Sequence, residues 1–255
     1  MRFRVGADIA ARVFPNIALG MLDTGEANDA IYKSQDGKYA ILLNTGLMLL
    51  LNKFSKLIIA WNDPRLVTYC NRKPAKDLTV TELRGYLPEL IETYKQHGVP
   101  YGARLKLQSS VAGRQSSLLH LSELFIVCHE LGHFLNGDLE DEANFCAVEG
   151  KPGLKRFEEN KDHAIEYAAD ATGFGLLKDV LKILPNGSTP QNGLLAIINL
   201  FNLFYLLTDG DSHSHPNPRS RSVNIGRTYF GEEFADKLQK SYDDPTLLRS
   251  LFLQP

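Results

Sequence analysis

Cysteine is scarce. The chain has three in 255 residues, Cys70, Cys128 and Cys146, and none stands in a Cys-x-x-Cys pair. So sparse and odd a set argues against a disulfide framework or a thiolate zinc site, and for a reducing compartment. Cys128 has no flanking cation and reads as a small buried apolar residue rather than a nucleophile. An excess of either charge is also lacking. Lys and Arg number 28 against 30 Asp and Glu, a formal net charge of −2 with a pI near 6.4. No basic surplus or polybasic run points to a nucleic acid or an anionic membrane.

Long apolar runs are missing too. Residues 40–61 are apolar but broken by Asn44, Asn52, Lys53 and Lys56, and residues 194–207 are short and interrupted by Asn199 and Asn202. Neither run reaches the roughly 20 apolar residues that a membrane span needs. The stretch Met1-Arg2-Phe3-Arg4-Val5-Gly6-Ala7-Asp8 has no apolar core before its first acid, so it does not read as a signal peptide. A cytoplasmic protein with no integral membrane span and no nucleic-acid partner is expected.

What is present is ordinary for a globular chain. Hydrophobic residues make up 44% and charged residues 23%, enough for a sizeable core. One domain over 1–255 is the simplest organisation, with an insertion of helical character at about 60–115. Asp36-Gly37 signals a turn, and Tyr39 to Asn44 reads as a short buried strand. Thr45 can cap a mostly buried helix over Leu47–Ile59, which Pro64 closes off. Residues 74–98 form an amphipathic helix or two, capped by Thr79 or Thr81 and stopped at Gly98-Val99-Pro100. Residues 100–115 read as a loop. Ser116 or Ser117 then starts the strongest helix, which Asn136-Gly137 ends with Gly137 as a left-handed cap. Residues 138–160 are acidic and irregular. Further helices are expected over about 161–183, over 191–208 and over 219–244, the last as one or two. The balance is mostly helical with a small sheet, an α+β fold.

The chemistry sits in His129-Glu130-Leu131-Gly132-His133. On a helix, positions i and i+4 stack on one face, so two imidazoles can take two tetrahedral positions on zinc. The Glu after the first His can act as general base on the water that the metal activates. Without a metal, a buried Glu between two buried His would be costly. A catalytic zinc needs a third protein ligand and an open position. Metzincin spacing would require Gly at 136 and His at 139, where this chain has Asn136 and Leu139. The better third ligand is Glu166. Asp170, one turn on, shares its face and can accept the free ring N–H of a ligand His. Ala168, Ala169, Ala171 and Gly173 are small and would let this helix press close to the metal helix. Glu140 and His163 are weaker alternatives. Glu140 is too near His133 along the chain, and His163 has no evident partner carboxylate.

These residues resemble a known group. His129-Glu130-Leu131-Gly132-His133 followed by Glu166-x-x-Ala169-Asp170 looks like the gluzincin metallopeptidases, specifically the HtpX- and Ste24-like family. Lys38 to Leu47 resembles the strand-then-Thr-Gly-Leu segment that precedes the metal helix there, and His215-Pro216 with Arg221 resembles the downstream His-Pro…Arg motif. The resemblance implies one zinc per chain on His129, His133 and Glu166, Glu130 as base, and Asp170 orienting a ligand His. It implies that the strand near 39–44 is an edge on which an extended substrate pairs. It also implies that His215 or its neighbour His213 stabilises the oxyanion, with Arg221 as a further oxyanion or substrate contact. The function expected is zinc-dependent endopeptidase action on a peptide or protein substrate. The alternatives are a regulatory single-substrate protease of the repressor-cleaving or phage-exclusion type, a zinc amidase on a small substrate, and a non-catalytic metal-binding scaffold. A scaffold would have no need of Glu130.

Overall fold

The computed structural model describes residues 13, 15–23, 30–141, 145–148, 153, 155–157, 163–184, 189–208 and 215–243. They are mostly helical with a small sheet, an α+β arrangement. In chain order the elements begin with β1 (Ile17–Leu22), β2 (Ala30–Lys33), β3 (Tyr39–Asn44), α1 (Thr45–Asn62), β4 (Val67–Cys70), α2 (Val80–His97) and β5 (Leu105–Leu107). They continue with α3 (Ser109–Asn136), β6 (Phe145–Ala147), β7 (Lys155–Phe157), α4 (His163–Leu181), α5 (Pro190–Thr208), α6 (Pro218–Phe230) and α7 (Glu232–Asp243). Contacts cluster into two compact units. The first comprises Met1–Gly20, Ala30–Leu42 and Leu124–Pro255, and the second Met21–Asp29 and Leu43–Glu123. The 60–115 segment falls in the second unit together with α1.

The first unit is built on a five-stranded sheet of order β1-β3-β2-β7-β6. Strands β2 and β3 form an antiparallel hairpin with Ile31 opposite Ile41, and both side chains are buried. Its turn uses Gly37 at φ 76, a conformation that suits a residue without a Cβ. Strand β7 pairs antiparallel with both β2 and β6. The expectation that residues 39–44 form an edge is overturned. Strand β3 is internal, because Ile17–Leu22 adds alongside it, and the sheet ends are β1 and β6. Helices α4, α5 and α7 all pack on α6, and α4 also packs on α5. Phe174, Ile197, Phe201 and Ile225 are almost fully buried there.

In the second unit, α1 packs on α2, and β4 pairs antiparallel with β5. The caps follow sequence chemistry. Asn44 Oδ1 accepts from Gly46 N at 2.8 Å, so Asn44 rather than Thr45 caps α1. Thr79 and Glu82 form a reciprocal capping box at the start of α2, and Gly98 ends it in the left-handed conformation at φ 65. The expected loop at 100–115 is also corrected. Leu105–Leu107 is a strand, and α3 begins at Ser109. Serines and glycines hid the early start, because packing outweighs weak helix propensity.

Helices α3 and α5 are each long and apolar enough to cross a membrane by length and composition. Half of the apolar window of α3 and 44% of that of α5 are buried inside the fold. Helix α5 has 19 residues and so exceeds the apolar run read at 194–207.

A candidate metal centre

The 28 residues of α3 span about 42 Å at about 1.5 Å per residue, and the His-Glu-x-x-His stretch lies in the last two turns. His129 and His133 stack on one face, with their Nε2 atoms 3.2 Å apart. Helix α4 brings Glu166 to the same point. Its Oε2 is 3.7 Å from His129 Nε2, and its Oε1 is 3.3 Å from His133 Nε2. All three side chains are buried, and their ligand atoms lie within 4.8 Å of one another. This group could hold a metal ion. Neither Glu166 oxygen accepts a hydrogen bond, although both are buried. Burying an ionised carboxylate in that state is costly unless a cation faces it, and the Arg221 guanidinium 3.1 Å from Oε2 is one such cation.

Small residues make this approach possible. A Cβ on Gly132 would lie 2.6 Å from the Ala169 carbonyl oxygen, and one on Gly173 would lie 2.9 Å from His129 backbone atoms. Helices α3 and α4 therefore touch backbone to backbone at the site. Thr172 Oγ1 donates to Asn136 Oδ1 at 2.9 Å, and this bond ties α4 to the end of α3.

Each imidazole has its own carboxylate. His129 Nδ1 stands 3.0 Å from Asp170 Oδ1, and His133 Nδ1 stands 2.9 Å from Asp138 Oδ2. A ring that donates from Nδ1 presents its Nε2 lone pair, so both Nε2 atoms are set to accept a cation. The sequence reading brought Asp170 here but missed Asp138. The missed signal is in the helix stop. Gly137 takes φ 88, its N–H donates to Phe134 O at 3.4 Å, and Asp138 N–H donates to His133 O at 3.1 Å. That is a Schellman ending, which folds the second residue past the helix back over the third from its end. Here the two are Asp138 and His133.

Arg221, in the first turn of α6, lies beneath the ligands. Its Nε and Nη2 each donate to Asp170 at 2.8 Å, a bidentate pair, and Nη2 is 3.1 Å from Glu166 Oε2. Its guanidinium stacks 4.8 Å from the centre of the Phe201 ring. The side chain is 8% exposed. An oxyanion or substrate contact was expected of Arg221, but the structure spends the side chain on holding α4 carboxylates. His215 is 28% exposed, with Nδ1 3.7 Å from Glu166 Oε2. His213 lies outside the described residues. Glu140 and His163 are exposed and do not belong to the metal group.

The electrostatics push the two imidazoles apart. Burial lowers His129, and the Asp170 hydrogen bond offsets this only in part. Burial also opposes a charged His133, but the Asp138 hydrogen bond, the Glu166 carboxylate facing its Nε2 and the nearby Glu130 carry it up to about 10. Burial would raise Glu166 and Asp170, yet the Arg221 guanidinium holds both below the usual carboxylate range. Burial pushes the Cys128 thiol up to about 12, so this neighbour of His129 is an inert apolar residue.

No family model matches the chain, and neither a curated protein nor a solved structure matches it.

Proposed function

We propose that the chain is a zinc-dependent peptidase that hydrolyses peptide bonds at His129, His133 and Glu166. One observation carries the reading: two imidazole Nε2 atoms and one carboxylate converge in a buried cluster, each imidazole backed by its own carboxylate. Ligand atoms about 2.0–2.1 Å from a tetrahedral zinc lie about 3.3 Å from one another. The separations here, 3.2, 3.3 and 3.7 Å, are of that size. Two nitrogens and one oxygen suit zinc, whereas calcium and magnesium take oxygen ligands. When bound, zinc acidifies a water and polarises a carbonyl.

The chain's own residues do the rest. Glu130 is buried, next to His129 on the same helix, and takes a proton from the attacking water at its carboxylate. It then returns that proton to the leaving amine. His215, partly exposed beside Glu166, is the donor to the oxyanion. Asp170 and Asp138 hold the two ligand rings, and Arg221 holds Asp170. Strand β6 ends the sheet, and Phe157 of its partner β7 lies 5.1 Å from the His133 ring. The β6 edge is therefore where an extended peptide adds as a further strand. The resemblance to HtpX- and Ste24-like peptidases supports the roles of His129, His133, Glu166, Glu130, Asp170 and His215.

Metal analysis tests the site, and peptide hydrolysis tests the chemistry. Purified protein is expected to carry close to one zinc, and Glu166→Ala to lose it. Glu130→Gln is expected to keep zinc and lose cleavage of a casein or peptide-library substrate by a factor of about 100 or more. Wild-type activity in Glu130→Gln would rule out the general base, and full zinc retention in Glu166→Ala would rule out the third ligand.

A further inference from the structure

The second unit contains a cavity with a different chemistry. Its volume is about 250 Å³, just under the roughly 300–1,000 Å³ of pockets that hold drug-sized ligands. It lies between α1, α2 and β5, and all its lining residues belong to this unit. Three cations line it: Lys53 and Lys56 from α1, and Arg104 just before β5. The lining contains no carboxylate. The nearby Glu89 is already engaged with Arg72. None of the three cationic side chains forms an ion pair among the described residues. Asn52 adds to the bias toward donors. Its Oδ1 accepts from Gln115 at 3.1 Å, which leaves its amide nitrogen to donate. The rest of the wall is apolar, chiefly Leu49, Leu57, Leu90 and Leu105.

Three unpaired cations around a partly apolar hollow repel one another, and an anion relieves that repulsion. The state of Lys53 agrees: burial, then Arg104, disfavour its charged form, and although Glu89 offsets this in part, Lys56 adds to the effect and the net shift is downward. We propose that this cavity binds a small organic anion, a carboxylate or phosphate head on a short aliphatic body. The head sits among Lys53, Lys56, Arg104 and Asn52, and the body lies against the leucines. The volume, just under that of pockets for drug-sized ligands, suits a small molecule.

The test is the thermal midpoint of the full chain titrated with hexanoate, hexyl phosphate and neutral hexanol. A saturable rise with one or both anions and none with hexanol is expected, and the better anion identifies the head. Arg104→Gln, at an exposed side chain, and Lys53→Gln are each expected to shift the titration at least tenfold to higher concentration. Their own midpoints without ligand should stay near wild type, and zinc content should be unchanged. No rise with either anion, an equal rise with hexanol, or variants that titrate like wild type would overturn the proposal. The last outcome would place the anion elsewhere, the metal site included.

Discussion

At the scale of the residue, His133 is held at both ring nitrogens. It is fully buried, and it faces Asp138 on one ring nitrogen and Glu166 on the other. Its raised pKa makes a signed statement about pH. In the metal-free fold the imidazolium is favoured, so its contribution to stability is complete below about 6.5 and lost as pH rises through about 10. A metal must displace that proton. Metal uptake at pH 7.5 is therefore expected to release close to one proton, and apparent affinity to rise with pH up to about 10. Calorimetric titration in two buffers of different ionisation enthalpy measures the release, and zero release would refute it. Asp138→Asn removes the foremost partner that raises His133. That variant is expected to release fewer protons and to bind zinc about 10- to 100-fold more weakly. A structural role alone would change affinity but leave the proton count as it was.

At the scale of the element, the crossing of α3 and α4 decides whether a site exists. Gly132 and Gly173 are the two points where backbone meets backbone. Gly132→Ala puts a Cβ 2.6 Å from a carbonyl oxygen, which neither helix can accommodate without moving. A loss of about 1–3 kcal/mol in chemical denaturation is expected, together with weaker zinc binding. Gly113→Ala, in the same helix with open space around it, serves as the control, and equal effects at both positions would sink the argument. This crossing was legible in the sequence. The His-Glu-x-x-His spacing, the i, i+4 acids and the run of Ala and Gly each report a local period or size, and local rules suffice for them. The sheet order was not legible. Placing Ile17–Leu22 beside β3 is a long-range pairing that alternation within either strand does not encode. Asp138 falls between these cases. Its position follows from the Gly137 turn, but its partner becomes evident only when the Schellman bonds are counted from His133. The His215-Pro216…Arg221 pattern brought Arg221 to the site, but its pairing with Asp170, more than 50 residues away, is one that no local pattern reports.

At the scale of the whole molecule, the charge balance and the two compact units lead to one prediction. Around the ligand pair, Glu130, Glu166, Asp170 and Asp138 are four carboxyl groups against two cations, the Arg221 guanidinium and, in the metal-free fold, the His133 imidazolium. A divalent cation offsets much of that excess, so the first unit is expected to depend on its metal for stability. Ligand that binds only the folded state stabilises it by RT ln(1 + [L]/Kd), about 1.4 kcal/mol for each tenfold above Kd. The second unit contains no member of the metal group, since His129, His133 and Glu166 all belong to the first. Removing metal with a chelator should therefore raise amide hydrogen exchange in α4 and α6, where the site is clamped, by a factor of ten or more. The amides of Leu83 to Tyr94 in α2, whose core residues belong to the second unit, should keep their protection. Exchange followed by mass spectrometry on matched zinc-loaded and chelated samples reads both regions at once. If α2 opens as far as α4, the metal stabilises both units together and the independence argued from the contact pattern fails. If neither responds, the cluster is not a metal site that matters for folding.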